Sequence, residues 1–229
     1  MKRDEGLLNH LIFDLKLRIK KVLNIHNRLS RKSKIKKYYS THHDEIKIHF
    51  GGGKDKLEGF LNTDIIGKIP INIAKKLPFS SESVDMIYSC HVIEHIYYKH
   101  FKAFLKESFR VLKKDGKHII MTPSLTRLIN ALYYVKDLKS ILLKGHEKLA
   151  GIKLDPALFL NRMMNTYYGH KFIHDFESIN RVAKTVGYSE IKIITIPDIP
   201  VETIRNYATM RENRGERWKI ETETYLLIK

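Results

Sequence analysis

With 229 residues the chain has room for one α/β domain plus an extension or insertion, and too little for two enzymatic domains. Lysine and arginine number 42 against 25 acids, and the formal charge of +17 points to an anionic partner: nucleic acid, anionic lipid or a phosphorylated substrate. The single cysteine, Cys90, excludes an internal disulfide, no run of about 18 apolar residues offers a spanning helix, and Asp14, Lys16 and Arg18 interrupt any signal-peptide core.

Residues 1–40 hold twelve lysines and arginines against three acids, a net +9 that is about half of the total. Leu7, Leu8, Leu11, Ile12, Leu15, Ile19, Val22 and Leu23 recur at helical spacing, so the segment reads as a basic amphipathic helix followed by a basic linker. Two roles fit equally: an anchor to an anionic membrane surface or polyanion, and a helix packed on its own domain or on a second subunit.

Residues 41–229 form the second unit. Ile46, Ile48 and Phe50 alternate with Lys47 and His49 as in a strand, which delivers the chain into Gly51, Gly52 and Gly53. Bare backbone there allows a ligand close to the main chain, and Asp64, ending a second strand at Phe60–Ile65, can take two ribose hydroxyls. The stretch thus proposes a nucleoside-bearing cofactor. Only seven residues separate Gly53 from Leu61, too few for a crossover helix; a helical turn at Lys54–Glu58 and a short third strand at Ile69–Ile73 are expected.

Val84–Tyr88 is a compact strand whose carboxyl end runs into Ser89, Cys90 and His91, then Glu94 and His95. Phe101, Phe104, Leu105, Phe109 and Leu112 define a helix over Tyr98–Lys113, and a strand over Lys117–Met121 follows. Strand, helix, strand is the mark of a doubly wound sheet. Residues 125–169 read as a helical insertion, more simply a packed cap than a substrate lid, with helical stretches at Leu125–Leu143 and Pro156–Tyr168. Asp175 caps a helix to about Val186 with Gly187 at its end, and Ile191–Ile196 and Thr224–Ile228 are closing strands.

HFGGG, the acid of NTD, LPF before SVDMIYS, the EH pair, RVLKKDG and HIIMTPS, in that order, resemble class I S-adenosylmethionine-dependent methyltransferases of the type 11 kind. GHKFIHDF at 169–176 and the ETETYLLIK tail resemble a bacterial subgroup associated with surface-polysaccharide biosynthesis. The likeness covers roughly 44–229. It implies a Rossmann-like, doubly wound, mostly parallel sheet and S-adenosyl-L-methionine as cofactor. It also implies that Gly51, Gly52 and Gly53 turn against the methionine part, that Asp64 holds the ribose, and that Ser89 and His91 line the pocket below the sulfonium. Asn72 stands where the family usually has an Asp facing the adenine amino group; Asn can still accept there, without charge assistance.

For an acceptor hydroxyl a neutral His suits proton removal near pH 7, and His91 and His170 are the candidates. Each could instead be structural. Glu94 and His95 read as architectural, and with no third ligand at a telling spacing no metal is expected. Cys90 follows Ser89, not the proline that precedes the nucleophile of RNA cytosine-C5 methyltransferases, and reads as a small buried residue. Ser89-Cys90-His91-Val92 also lacks the Asn/Asp-Pro-Pro-aromatic motif of methyltransferases acting on base amino groups.

The leading expectation is methylation of a hydroxyl on a sugar or glycan intermediate, by a cytoplasmic protein peripheral at the inner membrane face through residues 1–40. An RNA methyltransferase is the alternative from the charge, and a catalytically silent module is the alternative from Asn72 and the shortened crossover. Concentration of charge in residues 1–40 makes nucleic acid the weaker partner, and a homo-oligomer stays open.

Overall fold

The computed structural model describes residues 15, 18, 19, 22, 24–164 and 169–229. Most of the helix expected over Leu7–Leu23, and the end of the stretch expected over Pro156–Tyr168, lie outside them. The segment expected as a linker is a helix: α1 covers Ile25–Thr41. It buries Ile35 and Tyr38 against the domain, and the Tyr38 hydroxyl lies 2.9 Å from the carbonyl oxygens of both Lys47 and Gly59. Nothing in that sequence breaks a helix, so tertiary packing carries it on.

The strands are β1 (Lys47–Phe50), β2 (Leu61–Thr63), β3 (Val84–Cys90), β4 (Leu112–Pro123), β5 (Glu190–Ile194) and β6 (Thr222–Ile228). They form one sheet in the order β2-β1-β3-β4-β6-β5, parallel from β2 to β4 and antiparallel on both sides of β6. This is a Rossmann-like, doubly wound sheet, parallel except around β6. Alternate side chains of the strands serve different layers, as the two-residue period requires. Val84 and Ile87 of β3 join one core with Phe101, Phe104 and Leu105 of α2 (Tyr98–Val111) and Ile179 of α6 (Phe176–Val186). Met86, Tyr88 and Cys90 join another with Ile204 and Ala208 of α7 (Glu202–Glu212).

Between β1 and β2 the chain runs without a helix, and the turn expected at Lys54–Glu58 is not helical. Helix α7, from the far end of the sequence, occupies the vacated layer. Its flank packs Ile204 and Ala208 beside Leu57 and Phe60, and Tyr207 Oη donates to Asp55 Oδ2 at 3.0 Å. The strand expected at Ile69–Ile73 is reduced to an isolated bridge between Asp64 and Pro70, because Pro70 has no N–H for a ladder.

Helix α2 stops at Val111 and β4 begins at once with Leu112, five residues before the expected start. The insertion contains α3 (Leu125–Tyr133), α4 (Lys136–Ala150) and α5 (Pro156–Arg162), so the long helix expected over 125–143 is two. With Ile220 of α8 (Glu216–Glu221) they enclose a small core of Leu128, Leu132, Leu142 and Phe159. Asp175 caps α6 as expected, in a reciprocal capping box with Ser178, and Gly187 closes it at φ 116°.

Candidate active site

Strand β1 is flanked by β2 on one side and β3 on the other, so the chain reverses direction across the sheet at its carboxyl end. That switch point opens a crevice where such sheets place ligands. Three of the expected elements meet there: the glycine turn after β1, Asp64 after β2 and His91 after β3.

The glycines divide by cause. A side chain on Gly51 would collide with Val92, and one on Gly52 would stand 2.8 Å from the Asp55 carbonyl oxygen, so protein packing demands both. A Cβ on Gly53, at φ 56°, would meet no described residue beyond its chain neighbours closer than Asp64 Oδ2 at 4.0 Å. That leaves open space beside Asp64. Asp64 reaches into it, accepting from Gly53 N at 2.9 Å through Oδ2 and from Ile66 N at 3.2 Å through Oδ1. A half-exposed carboxylate with spare lone pairs beside bare backbone fits a nucleoside with vicinal hydroxyls.

The other expected contacts are less open. Asn72 is half-buried and its Oδ1 already accepts from Ala74 N at 3.0 Å in a local turn, leaving one lone pair for an adenine. Ser89 is 1% exposed, and its Oγ, sealed within the sheet, has no hydrogen-bond partner among the described residues. Cys90 is buried beneath the site, and burial pushes its thiol up to about 12, which suits the inert reading.

His91 is held on both ring nitrogens. Nδ1 lies 3.3 Å from Glu94 Oε1, Nε2 lies 3.0 Å from Thr222 Oγ1, and the ring stacks on Trp218. Its φ of 52° is unusual for a residue with a side chain, and it places the imidazole past the end of β3. A proton on Nδ1, facing the Glu94 carboxylate, would leave Nε2 as the acceptor toward Thr222 Oγ1.

Glu94 is fully buried in the 3-10 turn Ile93–His95 and accepts from Thr122 Oγ1 at 3.0 Å. Burial alone would raise its carboxyl, but the surrounding His91, His95 and His170 outweigh it and bring it down to about 2. Its carbonyl oxygen accepts from Lys171 N at 2.7 Å, which brings the 169–172 loop against the turn. His170 is thereby set beside His95, with ring centroids 5.0 Å apart. Burial lowers the His170 imidazole to about 4, so it is neutral at pH 7.

Sequence spacing did not reveal Thr222, Trp218 or Thr122 as neighbours of the site. His91 and Thr222 are 131 positions apart, and nothing local marks the pair. Two surface cavities, of about 340 and 520 Å³, share Arg181 and include no residue of the glycine turn. The crevice at the switch point is defined by the sheet topology and by the chemistry of its side chains.

Residues 64–120 match a family model described as a methyltransferase domain. That match covers 57 of the 229 residues, and with the sheet order it supports an S-adenosylmethionine-dependent methyltransferase, with S-adenosyl-L-methionine as its cofactor. No curated protein matches the sequence. Among solved structures the chain is similar to a SAM-dependent methyltransferase from Archaeoglobus fulgidus, at 13% identity over 89% of this chain and 94% of that one, with a TM-score of 0.45. It is also similar to the YcgJ protein of Bacillus subtilis, at 12% identity over 81% and 92%, with a TM-score of 0.46. Phosphoethanolamine N-methyltransferase 2 of Haemonchus contortus, in complex with S-adenosyl-L-methionine, aligns at 11% identity over 81% of this chain and 48% of that one, with a TM-score of 0.46.

Proposed function

We propose that the chain methylates a hydroxyl of a sugar or glycan intermediate in surface-polysaccharide biosynthesis. The observation that carries the reading is His91, an imidazole set by a buried carboxylate so that Nε2 can receive a proton. S-adenosylmethionine supplies a methyl group already activated on positive sulfur. The chain's own task is alignment and deprotonation. Asp64 and the Gly53 backbone hold the nucleoside end, and Thr222 yields its place on His91 Nε2 to the acceptor. His170 stands as the second candidate base, being neutral and one loop away.

A peripheral attachment to an anionic membrane surface is supported by the N-terminal side chains. Leu15, Ile19, Val22, Ile25 and Leu29 are 50–78% exposed at helical spacing, in a segment rich in lysine and arginine. No described helix is long and apolar enough to cross a membrane. The test is to supply labelled S-adenosylmethionine with lipid-linked oligosaccharides, nucleotide sugars and total RNA. Label in the glycan pools, falling about 10²–10⁴-fold in kcat for His91→Gln, supports the reading. Label confined to RNA overturns it.

A further inference from the structure

We propose that Glu94, His95 and His170 bind one divalent transition-metal ion of the zinc class, beside the methyl acceptor. Each offers one ligand atom, and these atoms lie within 4.8 Å of one another, a convergence that the separation of His170 from the EH pair concealed. Two imidazole nitrogens and one carboxylate oxygen are the donor set of three-ligand metal sites that keep a position open for substrate.

Three structural facts independent of that proximity point the same way. The Glu94 carboxylate is completely buried, yet among the described residues its Oε1 has only the long 3.3 Å contact to His91 Nδ1. Its other oxygen is fixed by Thr122 Oγ1, the kind of outer contact that orients a ligating carboxylate. Backbone hydrogen bonds from Lys171 N and Phe172 N to the Glu94 carbonyl oxygen, at 2.7 and 3.3 Å, then clamp the loop that presents His170. His95 is exposed, so the fourth position faces outward.

The cluster adjoins the cofactor turn: Val92, two residues before Glu94, is the side chain packed on Gly51. The site's role, though not its existence, rests on the O-directed reading above. A cation there would lower the pKa of an acceptor hydroxyl. The hydroxyl proton passes to His91 Nε2, the freed oxygen pair forms the new O–C bond, and the S–C bond breaks with its electrons left on sulfur.

The test is titration of the full chain with Co²⁺, read by its visible absorption, alongside calorimetry with S-adenosylmethionine on the same samples. One Co²⁺ per chain is expected, with affinity falling at least about tenfold in His95→Ala, His170→Ala and the isosteric Glu94→Gln. His95 is the control against misfolding, because its side chain is exposed. Absence of saturable binding, or unchanged affinity in His95→Ala, overturns the proposal. Loss of S-adenosylmethionine binding with Co²⁺ binding intact would instead strike the functional reading and leave the metal site standing.

Discussion

Asp64 carries the cofactor argument because one carboxylate both braces the turn, through Gly53 N and Ile66 N, and stays half-exposed toward the crevice. Removing it deletes charge-assisted hydrogen bonds worth about 1.5–3 kcal/mol, so Asp64→Ala should weaken S-adenosylmethionine binding roughly 10–100-fold while circular dichroism stays native. Unchanged affinity would mean that the ribose lies elsewhere. The residue types of the site were legible in sequence: three glycines, an acid at a strand end, histidines past another strand. Their partners were not. Thr222 reaches His91, and His170 reaches His95, only through the topology, which no local spacing encodes. Two of the glycines also proved to answer to Val92 and Asp55, which sequence alone cannot separate from ligand approach.

At the scale of elements, the strongly periodic segments were readable and those that depend on distant packing were not. Helix α2 and the capped helix α6 followed from the spacing of their apolar residues and from Asp175 and Gly187. Asp175→Ala should cost about 1 kcal/mol of stability, measured by denaturant midpoint, because the Ser178 amide loses its acceptor. Helix α7 stood outside the sequence reading, since its weak amphipathic pattern gains meaning only when it covers the layer left by the missing crossover helix. Tyr207→Phe removes its bond to Asp55 and should lower stability by about 1 kcal/mol. No change in thermal midpoint would show that α7 is held by its apolar contacts alone. For the N-terminal helix, α1 contributes Ile35 and Tyr38 to the core, so a lipid-binding test must cut no further than residue 24. Loss of the first 24 residues should weaken binding to anionic vesicles, and equal binding by both forms would remove the anchor.

Across the whole molecule, buried histidines set the response to acid. His118 in β4 is fully buried, against Phe104, and burial lowers it to about 3; His174 and His170 are lowered to about 4 for the same reason. Each stays neutral when folded but takes a proton at about 6.5 when unfolded. Stability is thus intact above that value and is lost as pH falls toward the folded values. For His118 the loss reaches about 2 kcal/mol by pH 5, so His118→Leu should shrink the stability difference between pH 8 and pH 5 by that amount. Glu94 acts in a lower window: its lowered value adds stability above the ordinary carboxylate range that disappears toward about 2. The doubly wound architecture could be anticipated from strand, helix, strand; the strand order, the absent third strand and the antiparallel β6 between β4 and β5 belong to long-range pairing.

The central claim is that S-adenosylmethionine binds at the carboxyl ends of β1 and β2, and calorimetric titration of the full chain tests it most directly. Saturable binding of one molecule per chain, largely lost in a folded Asp64→Ala variant, is the predicted result. No binding to the intact chain, or equal affinity in the variant, would contradict it.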